Sequence, residues 1–301
     1  MDIKQEVVET QNPPPMRETE RFYRILFSIL RYEGFLTLRQ IHRIAFPNAS
    51  HHEARKYMAK MFQNGYVNRP DRQSRAAIGE QLYWLSKAGA EKVADRLGIE
   101  VKELKYRQKL RRSLIAHDAQ LNDARLAIEG ACELLGVEIT QWTSSEMFWR
   151  NPIEIQMVNS EGKPTKRRVM PDGFFILQIP WEIDEETNEP KTLRCLLESD
   201  CTTEMHPILS ERLQVALALL RSPQYSQMAG KRSGRWLIVG NSEKRMRTAK
   251  ENAERAFGTQ AQAFWFTSVD QLYLTPQAAL TSPIWLRGGW KEPATLLKPQ
   301  R

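Results

Sequence analysis

Apolar residues recur with two different periods along the chain, and the change from one to the other divides it. Over residues 16–32, Phe22, Ile25, Leu26, Ile29 and Leu30 are spaced by three and four, which predicts an amphipathic helix ended by Gly34. Thr37 caps a short segment in which Leu38, Ile41, Ile44 and Ala45 share a face, and Pro47 stops it. Ser50 caps a further helix with Ala54, Tyr57, Met58, Met61 and Phe62 turned inward. Two short runs, YVNRP and QLYWL, then flank a polar loop over residues 71–79 and read as a hairpin, after which SKAGAEKV returns to helix. Three helices, a strand, a basic loop and a strand form the order of a winged helix-turn-helix, predicted over residues 16–98.

A basic stretch with Lys102, Lys105, Arg107, Lys109, Arg111 and Arg112 follows and reads as a helical linker over residues 99–115. Over residues 116–290 a helix precedes strands in VEITQWTSS, RRVMPDGFFILQI and TLRCLLESD, joined by the polar turns NSEGKPTKR and DEETNEPK. HPILSERLQVALALLRS is a helix, GRWLIVG an apolar strand, SEKRMRTAKENAERAFG a basic helix and AFWFTSV a last strand. This alternation predicts an α/β domain with a mixed sheet, so the chain as a whole is α+β. Residues 1–15, polar and ending in three prolines, read as a disordered leader, and residues 291–301 as a tail. No internal repeat is visible.

Charge sharpens this division. Residues 1–115 hold 22 Lys and Arg against 13 Asp and Glu, and the remainder 22 against 23, so a net +9 stands beside −1. An anion-seeking module joined to a near-neutral one suits a DNA-binding head on a different body, with double-stranded DNA as the expected partner. No apolar run approaches the roughly 18 residues that span a bilayer, and the first residues lack the pattern of a secretory signal. A cytoplasmic protein with no membrane partner is therefore expected. Cys132, Cys195 and Cys201 are odd in number and widely spaced, which argues for buried free thiols rather than disulfides or a zinc cluster.

In a helix-turn-helix the second helix of the pair enters the major groove. Here it would present His51, His52, Arg55, Lys56 and Lys60, with Arg55 and His52 the candidate base contacts, since Arg pairs bidentately with guanine. Arg69, Arg72 and Arg75 surround the wing and suit phosphate or minor-groove contact. His51 and His52 do not read as a metal pair, because adjacent helical residues point apart.

From Leu36 to about Trp285 the chain resembles the replication-relaxation family through LTLRQIHRIAF, NGYVNRP, IAHDAQLNDARLAI, MPDGFF and LLESDCTTE. The resemblance implies a role in plasmid replication or DNA relaxation, and a C-terminal fold similar to the restriction-endonuclease superfamily. That superfamily sets the Asp of a Pro-Asp pair and an acid-x-Lys triplet on neighbouring strands, where two carboxylates hold Mg²⁺ or Mn²⁺ and the Lys positions water. Carried onto this sequence, Asp172 and Glu198 are the implied metal ligands, while Asp200 occupies the position of the lysine. Arg212 on the following helix is the candidate substitute for its charge, and Glu129 a further carboxylate. Arg stays protonated, so its part would be charge stabilisation.

His117 and Asp118 read as local structural or DNA-contacting residues, because an HD-type phosphohydrolase needs more His ligands and His206 is the only later one. Nucleotide-binding loops, a dinucleotide fingerprint and a nucleophile elbow are all missing from the sequence. Tyr225 and Tyr273 read as core or surface residues rather than relaxase nucleophiles, and the aromatics near Phe264 as a buried strand.

Three functions fit. The first is a DNA-binding protein of a plasmid or other mobile element, acting at a replication or transfer origin, with an endonuclease-like second domain. The second is a Mg²⁺-dependent nuclease or nickase using Asp172, Glu198 and Asp200. The third is a transcriptional regulator whose second half dimerises. A homodimer and replication or transfer proteins are the corresponding partners.

Overall fold

A computed structural model of the chain describes residues 3–6, 16–158, 162–201, 206–230 and 233–299, with the backbone alone at residues 77 and 206–209. The chain forms two units, Met1–Asn122 and Asp123–Arg301.

The first unit is built on α1 (Glu20–Arg31), β1 (Phe35–Thr37), α2 (Leu38–Ala45), α3 (His51–Gln63), β2 (Val67–Asn68), α4 (Arg72–Ile78), β3 (Leu82–Leu85) and α5 (Lys87–Leu97). In α1 the predicted stripe is the buried one: Phe22, Ile25, Leu26 and Ile29 all lie inside. Both helices of the central pair start at reciprocal capping boxes, in which a hydroxyl and a longer side chain satisfy two orphan backbone donors. Thr37 pairs in this way with Gln40, and Ser50 with Glu53. β1, β3 and β2 form an antiparallel sheet in that order, with Phe35 opposite Trp84 and Val67 opposite Leu85.

Four local expectations change in this unit. The polar loop over 71–79 contains α4, because the Asp71 carboxylate accepts the Ser74 N–H at 2.7 Å and Gly79 closes the helix at φ +79°. The stretch predicted as a helical linker has no helix before Arg112; Leu104 and Leu110 are buried, and the Gln108 carbonyl accepts the Trp84 indole N–H at 3.2 Å. Its apolar anchors are tied to the unit individually rather than along one helical face. The leader expected to be disordered is packed at residues 3–6: Ile3 is buried and donates its N–H to the Leu110 carbonyl, and Gln5 bridges to Pro70. Residues 1–2 and 7–15, with the three prolines, lie outside the described residues. Finally, α6 (Arg112–Leu135) begins inside the stretch expected as linker, and the division between the units falls within it rather than before residue 116.

The second unit continues with β4 (Glu138–Ser144), α7 (Ser145–Arg150), β5 (Ile153–Val158), β6 (Pro164–Val169), β7 (Gly173–Ile183), β8 (Pro190–Asp200), α8 (His206–Arg221), α9 (Pro223–Ala229), β9 (Arg235–Gly240), α10 (Glu243–Phe257), a 3₁₀ turn (Gly258–Ala263), β10 (Phe264–Ser268), α11 (Val269–Leu272), α12 (Ala278–Thr281) and β11 (Leu286–Arg287). A six-stranded sheet runs β11-β10-β9-β8-β7-β4. β7 is antiparallel to both of its neighbours, β4 and β8, while β8, β9 and β10 are parallel and β11 is antiparallel at the edge, so the sheet is mixed and the protein is α+β. Side chains alternate across a strand. Phe174, Leu196, Trp236, Ile238, Phe264 and Phe266 fall on one face and pack with Leu213 and Leu217 of α8, Tyr225 of α9 and Met246 of α10.

The stretch RRVMPDGFFILQI is two strands, not one. β6 pairs with β5 in a separate hairpin, β7 joins the main sheet, and the chain breaks at Met170–Asp172, where Pro171 has no N–H to give a ladder. The tail also packs: Ala294 bridges to Trp285, and Leu296 and Leu297 are buried. AFWFTSV is β10, not the last strand, since β11 follows it.

Candidate nucleic-acid interface and carboxylate site

In the first unit α2 and α3 are adjacent helices joined by five residues, and α3 buries Ala54, Met58, Met61 and Phe62. The opposite side of α3 carries His51, His52, Arg55, Lys56 and Lys60, all exposed. The His51 ring stacks on His42 of α2 with centroids 3.9 Å apart, which fixes the start of the helix against its partner. Exposed Lys102, Lys105, Lys109, Arg111 and Arg112 add further cations to this unit.

The three arginines expected in a wing divide. Arg72 is exposed. Arg69 donates to Glu6 through Nε at 2.8 Å and Nη2 at 2.7 Å, while its guanidinium lies over the Phe62 ring; Arg75 reaches the same carboxylate at 3.0 Å. Glu6 thus pairs with two of the three, offsetting one of their two charges, and its partners, Arg69 foremost, hold its carboxyl below the usual range. Nothing in the leader's sequence singles out Glu6 as that partner.

His117 and Asp118 form a pair of their own. His117 Nδ1 lies 3.0 Å from the Asp118 carboxylate, which also receives Arg107, and Arg107 reaches Glu33 at 3.5 Å. Asp118 is buried, so the cluster anchors α6 to the segment before it. The side chain of His206 lies outside the described residues.

In the second unit β8 ends in Glu198, Ser199 and Asp200, all three buried. Gly173 is opposite Leu197, so Asp172, one residue earlier, stands at the level of Glu198. The Asp172 carboxylate accepts the Ser199 N–H at 2.8 Å. By alternation Glu198 and Asp200 share the face of Leu196, the face covered by α8 and α10. Each meets an arginine there. Arg212 of α8 is ion-paired with Glu198, and Arg245 of α10 grips Asp200 through two hydrogen bonds of 2.7 and 2.9 Å. Two parallel N–H donors matching one carboxylate form the strongest geometry available to this pair.

The sequence therefore placed Asp172, Glu198, Asp200 and Arg212 together, and missed Arg245. Glu129 is elsewhere: it pairs with Arg125 at 2.8 Å, and Arg125 lies over the Trp142 ring. Among the described residues no group of three or more His, Cys, Asp or Glu side chains is arranged to hold a metal ion. Mg²⁺ needs several oxygen ligands free to turn toward it, whereas here two acids face guanidinium groups and the third accepts a backbone N–H. Cys132 and Cys195 are buried, and burial pushes both thiols up to about 12. The Tyr273 hydroxyl donates to the Asp123 carbonyl at 2.7 Å, and Tyr225 is a core residue.

Fold and site together describe an α+β protein whose first unit presents a basic helix and whose second carries a mixed sheet with arginine-paired acids at one end. Residues 27–233 match the replication-relaxation family, and the chain belongs to it. No curated protein matches the chain. Among solved structures it is similar at 10% identity to restriction endonuclease FokI, with a TM-score of 0.27 for the form bound to DNA and 0.29 for another structure of that enzyme. Each match covers 88% of this chain and 46% of FokI, so the chain spans about half the length of that enzyme. Among the described residues no helix is long and apolar enough to cross a membrane.

Proposed function

We propose that this protein is a DNA-binding member of the replication-relaxation family, acting at a replication or transfer origin of a plasmid or other mobile element. Its first unit is a winged helix-turn-helix, with α2 and α3 as the helix pair and the β2–β3 connection, which contains α4, as the wing. The single observation that carries this is the exposed row His51, His52, Arg55, Lys56 and Lys60 on α3, the face turned away from the buried Met58 and Met61. A helix of this kind presents its N-terminal side chains to base edges and phosphates in the major groove.

Arg55 reads a base and Lys56 a phosphate in this account. On the preferred duplex selected from a randomised pool, Arg55→Ala weakens binding about 5- to 100-fold, the range for losing a bidentate base contact, and relaxes preference at one position. Equal affinity and equal preference for the variant would overturn the assignment of α3.

The second unit serves as a binding body rather than a nuclease. Arg212 and Arg245 hold Glu198 and Asp200 as closed ion pairs, which supports that reading over metal-dependent hydrolysis. Supercoiled plasmid incubated with the protein and Mg²⁺ or Mn²⁺ stays intact. Nicking that disappears in Asp172→Ala and Glu198→Ala would establish the nuclease instead.

A further inference from the structure

The face of the main sheet opposite α8 and α10 bears a second cluster of cations, at the other end of the strands from Asp200. Trp265 of β10 is opposite Arg287 of β11 and beside Leu237 of β9, on the face away from Phe264 and Phe266. The Arg235 guanidinium lies 4.4 Å from the Trp265 ring centre on this face, and Arg287 lies 5.3 Å from that ring and 4.6 Å from Trp290. Arginine, tryptophan, arginine and tryptophan thus alternate along the wall of a cleft of about 560 Å³, which Lys191 and Lys298 also line. That volume is of the size that takes small organic ligands.

Three features separate this ladder from ordinary packing. The first is charge. Among the described residues neither guanidinium has a carboxylate partner: Arg235 donates to the Leu296 carbonyl and Arg287 to the Gln262 carbonyl. Glu182, the carboxylate of the cleft, lies 3.8 Å from Lys191. Burial lowers the proton affinity of both arginines, and at Arg235 the neighbouring Arg287 adds to this while the field of Glu182 opposes it. The second is exposure: Trp290 is 48% exposed, a large indole left at the mouth of the cleft.

The third is rigidity. A Cβ on Gly288 would stand 2.1 Å from the Ala261 carbonyl oxygen, so this backbone approach admits only glycine. Gly289, at φ +76°, donates its N–H to Glu254 at 2.6 Å, and the Trp290 N–H bonds to the Arg287 carbonyl. The turn that carries Trp290 is pinned on both sides, and an aromatic held still in water loses little freedom when a ring stacks on it.

We infer that this cleft binds a nucleotide, its base stacked on Trp290 and its phosphate held by Arg287 and Lys298. An aromatic platform beside unpaired guanidinium groups is the chemistry that holds bases and phosphates together, and stacking accepts any base. The nucleotide is either free or one unit of a single strand, and both sources offer the same ring and anion. All residues of the cleft belong to the second unit, and some seven to nine residues of β8, roughly 25 Å of strand, separate Lys191 from the acids. The inference is independent of DNA recognition by α3.

The test uses the full chain carrying Arg55→Ala and Lys56→Ala, so that α3 contributes little, titrated by calorimetry with thymidine hexanucleotide, with thymidine monophosphate and with inorganic phosphate. The hexanucleotide or the mononucleotide binds at least tenfold more tightly than phosphate. Trp290→Ala weakens that binding about 5- to 100-fold, the range of one lost base stack, while Trp290→Phe retains most of it. Arg287→Ala weakens both nucleotide and phosphate. Mononucleotide binding equal to that of the hexamer assigns a free nucleotide, and binding of the hexamer alone assigns a strand. Trp290 is exposed, so its alanine variant keeps the wild-type thermal midpoint, and loss of affinity there is not loss of fold. Nucleotide affinity unchanged in Trp290→Ala, or no greater than that for phosphate, would overturn the inference.

Discussion

Gly89 lies inside α5 because nothing larger fits: a Cβ there would stand 2.0 Å from the Tyr66 carbonyl oxygen, a backbone atom that cannot rotate away. Gly89 stands in the first turn of α5, where its N–H donates to Ser86 Oγ at 3.0 Å, so the close approach of α5 to the residue before β2 selects glycine there rather than helix propensity. Gly89→Ala should therefore lower stability by about 1–3 kcal/mol, the usual range for overpacking, read as a shift in the denaturation midpoint at constant slope. A midpoint equal to the wild type would contradict the contact. Glu6 makes a second prediction at this scale. Its folded-state pKa is lowered from 4.5, chiefly by the hydrogen bond from Arg69, with opposing desolvation. The unfolded chain takes up the proton first as pH falls, so the stability that Glu6 contributes is fully present above pH 4.5 and is lost as pH drops toward the lowered value. Protection of the Ile3 and Glu6 amides against hydrogen exchange, taken relative to the intrinsic rate at each pH, should fall below pH 4.5, and Glu6→Gln should abolish that dependence. A dependence unaffected by the substitution would place the titrating group elsewhere.

At the scale of elements, the end of β8 depends on the helices that cover it. Asp200 is almost fully buried and is gripped by Arg245, whose side chain is 29% exposed. Removing one member of a buried pair strands the other and costs more than replacing both. Arg245→Ala should destabilise the second unit by about 3 kcal/mol, and Arg245→Met with Asp200→Leu by less, measured by thermal unfolding. Equal losses would show that the pair carries no charge coupling. These contacts also mark how far the sequence could be read. Helices α1, α2 and α3 were legible because their apolar period and the caps at Thr37 and Ser50 are local properties of a few consecutive residues. The same holds for Asp172, Glu198 and Asp200, whose pattern sits at strand ends. The pattern of the sequence shows neither β5 nor the separation of β6 from β7, because strand pairing is decided between segments and Pro171 alone signals the break. Arg245 was invisible as the partner of Asp200, since α10 holds several cations and only packing selects the one that turns inward. Glu6 was hidden for a like reason, standing in a polar segment that looks disordered until Arg69 and Arg75 are placed around it.

For the whole molecule the dominant feature is the uneven distribution of charge, with all of the +8 net charge accounted for by the first 115 residues. Folding spends some of those cations internally, on Glu6 and Asp118, and leaves the row on α3 facing solvent. A protein that neutralises phosphates releases counter-ions, so its affinity falls with salt along a line whose slope counts the contacts, about 0.9 per phosphate. The assignment of α3 is tested most directly by the affinity of the full chain for a duplex of random sequence at several salt concentrations, beside the Lys56→Ala, Lys60→Ala double variant. It predicts measurable duplex binding with a steep salt dependence, and a slope shallower by about 2 in the variant. Absence of duplex binding at low salt, or the same slope in both proteins, would contradict the assignment of α3 as the DNA-binding helix.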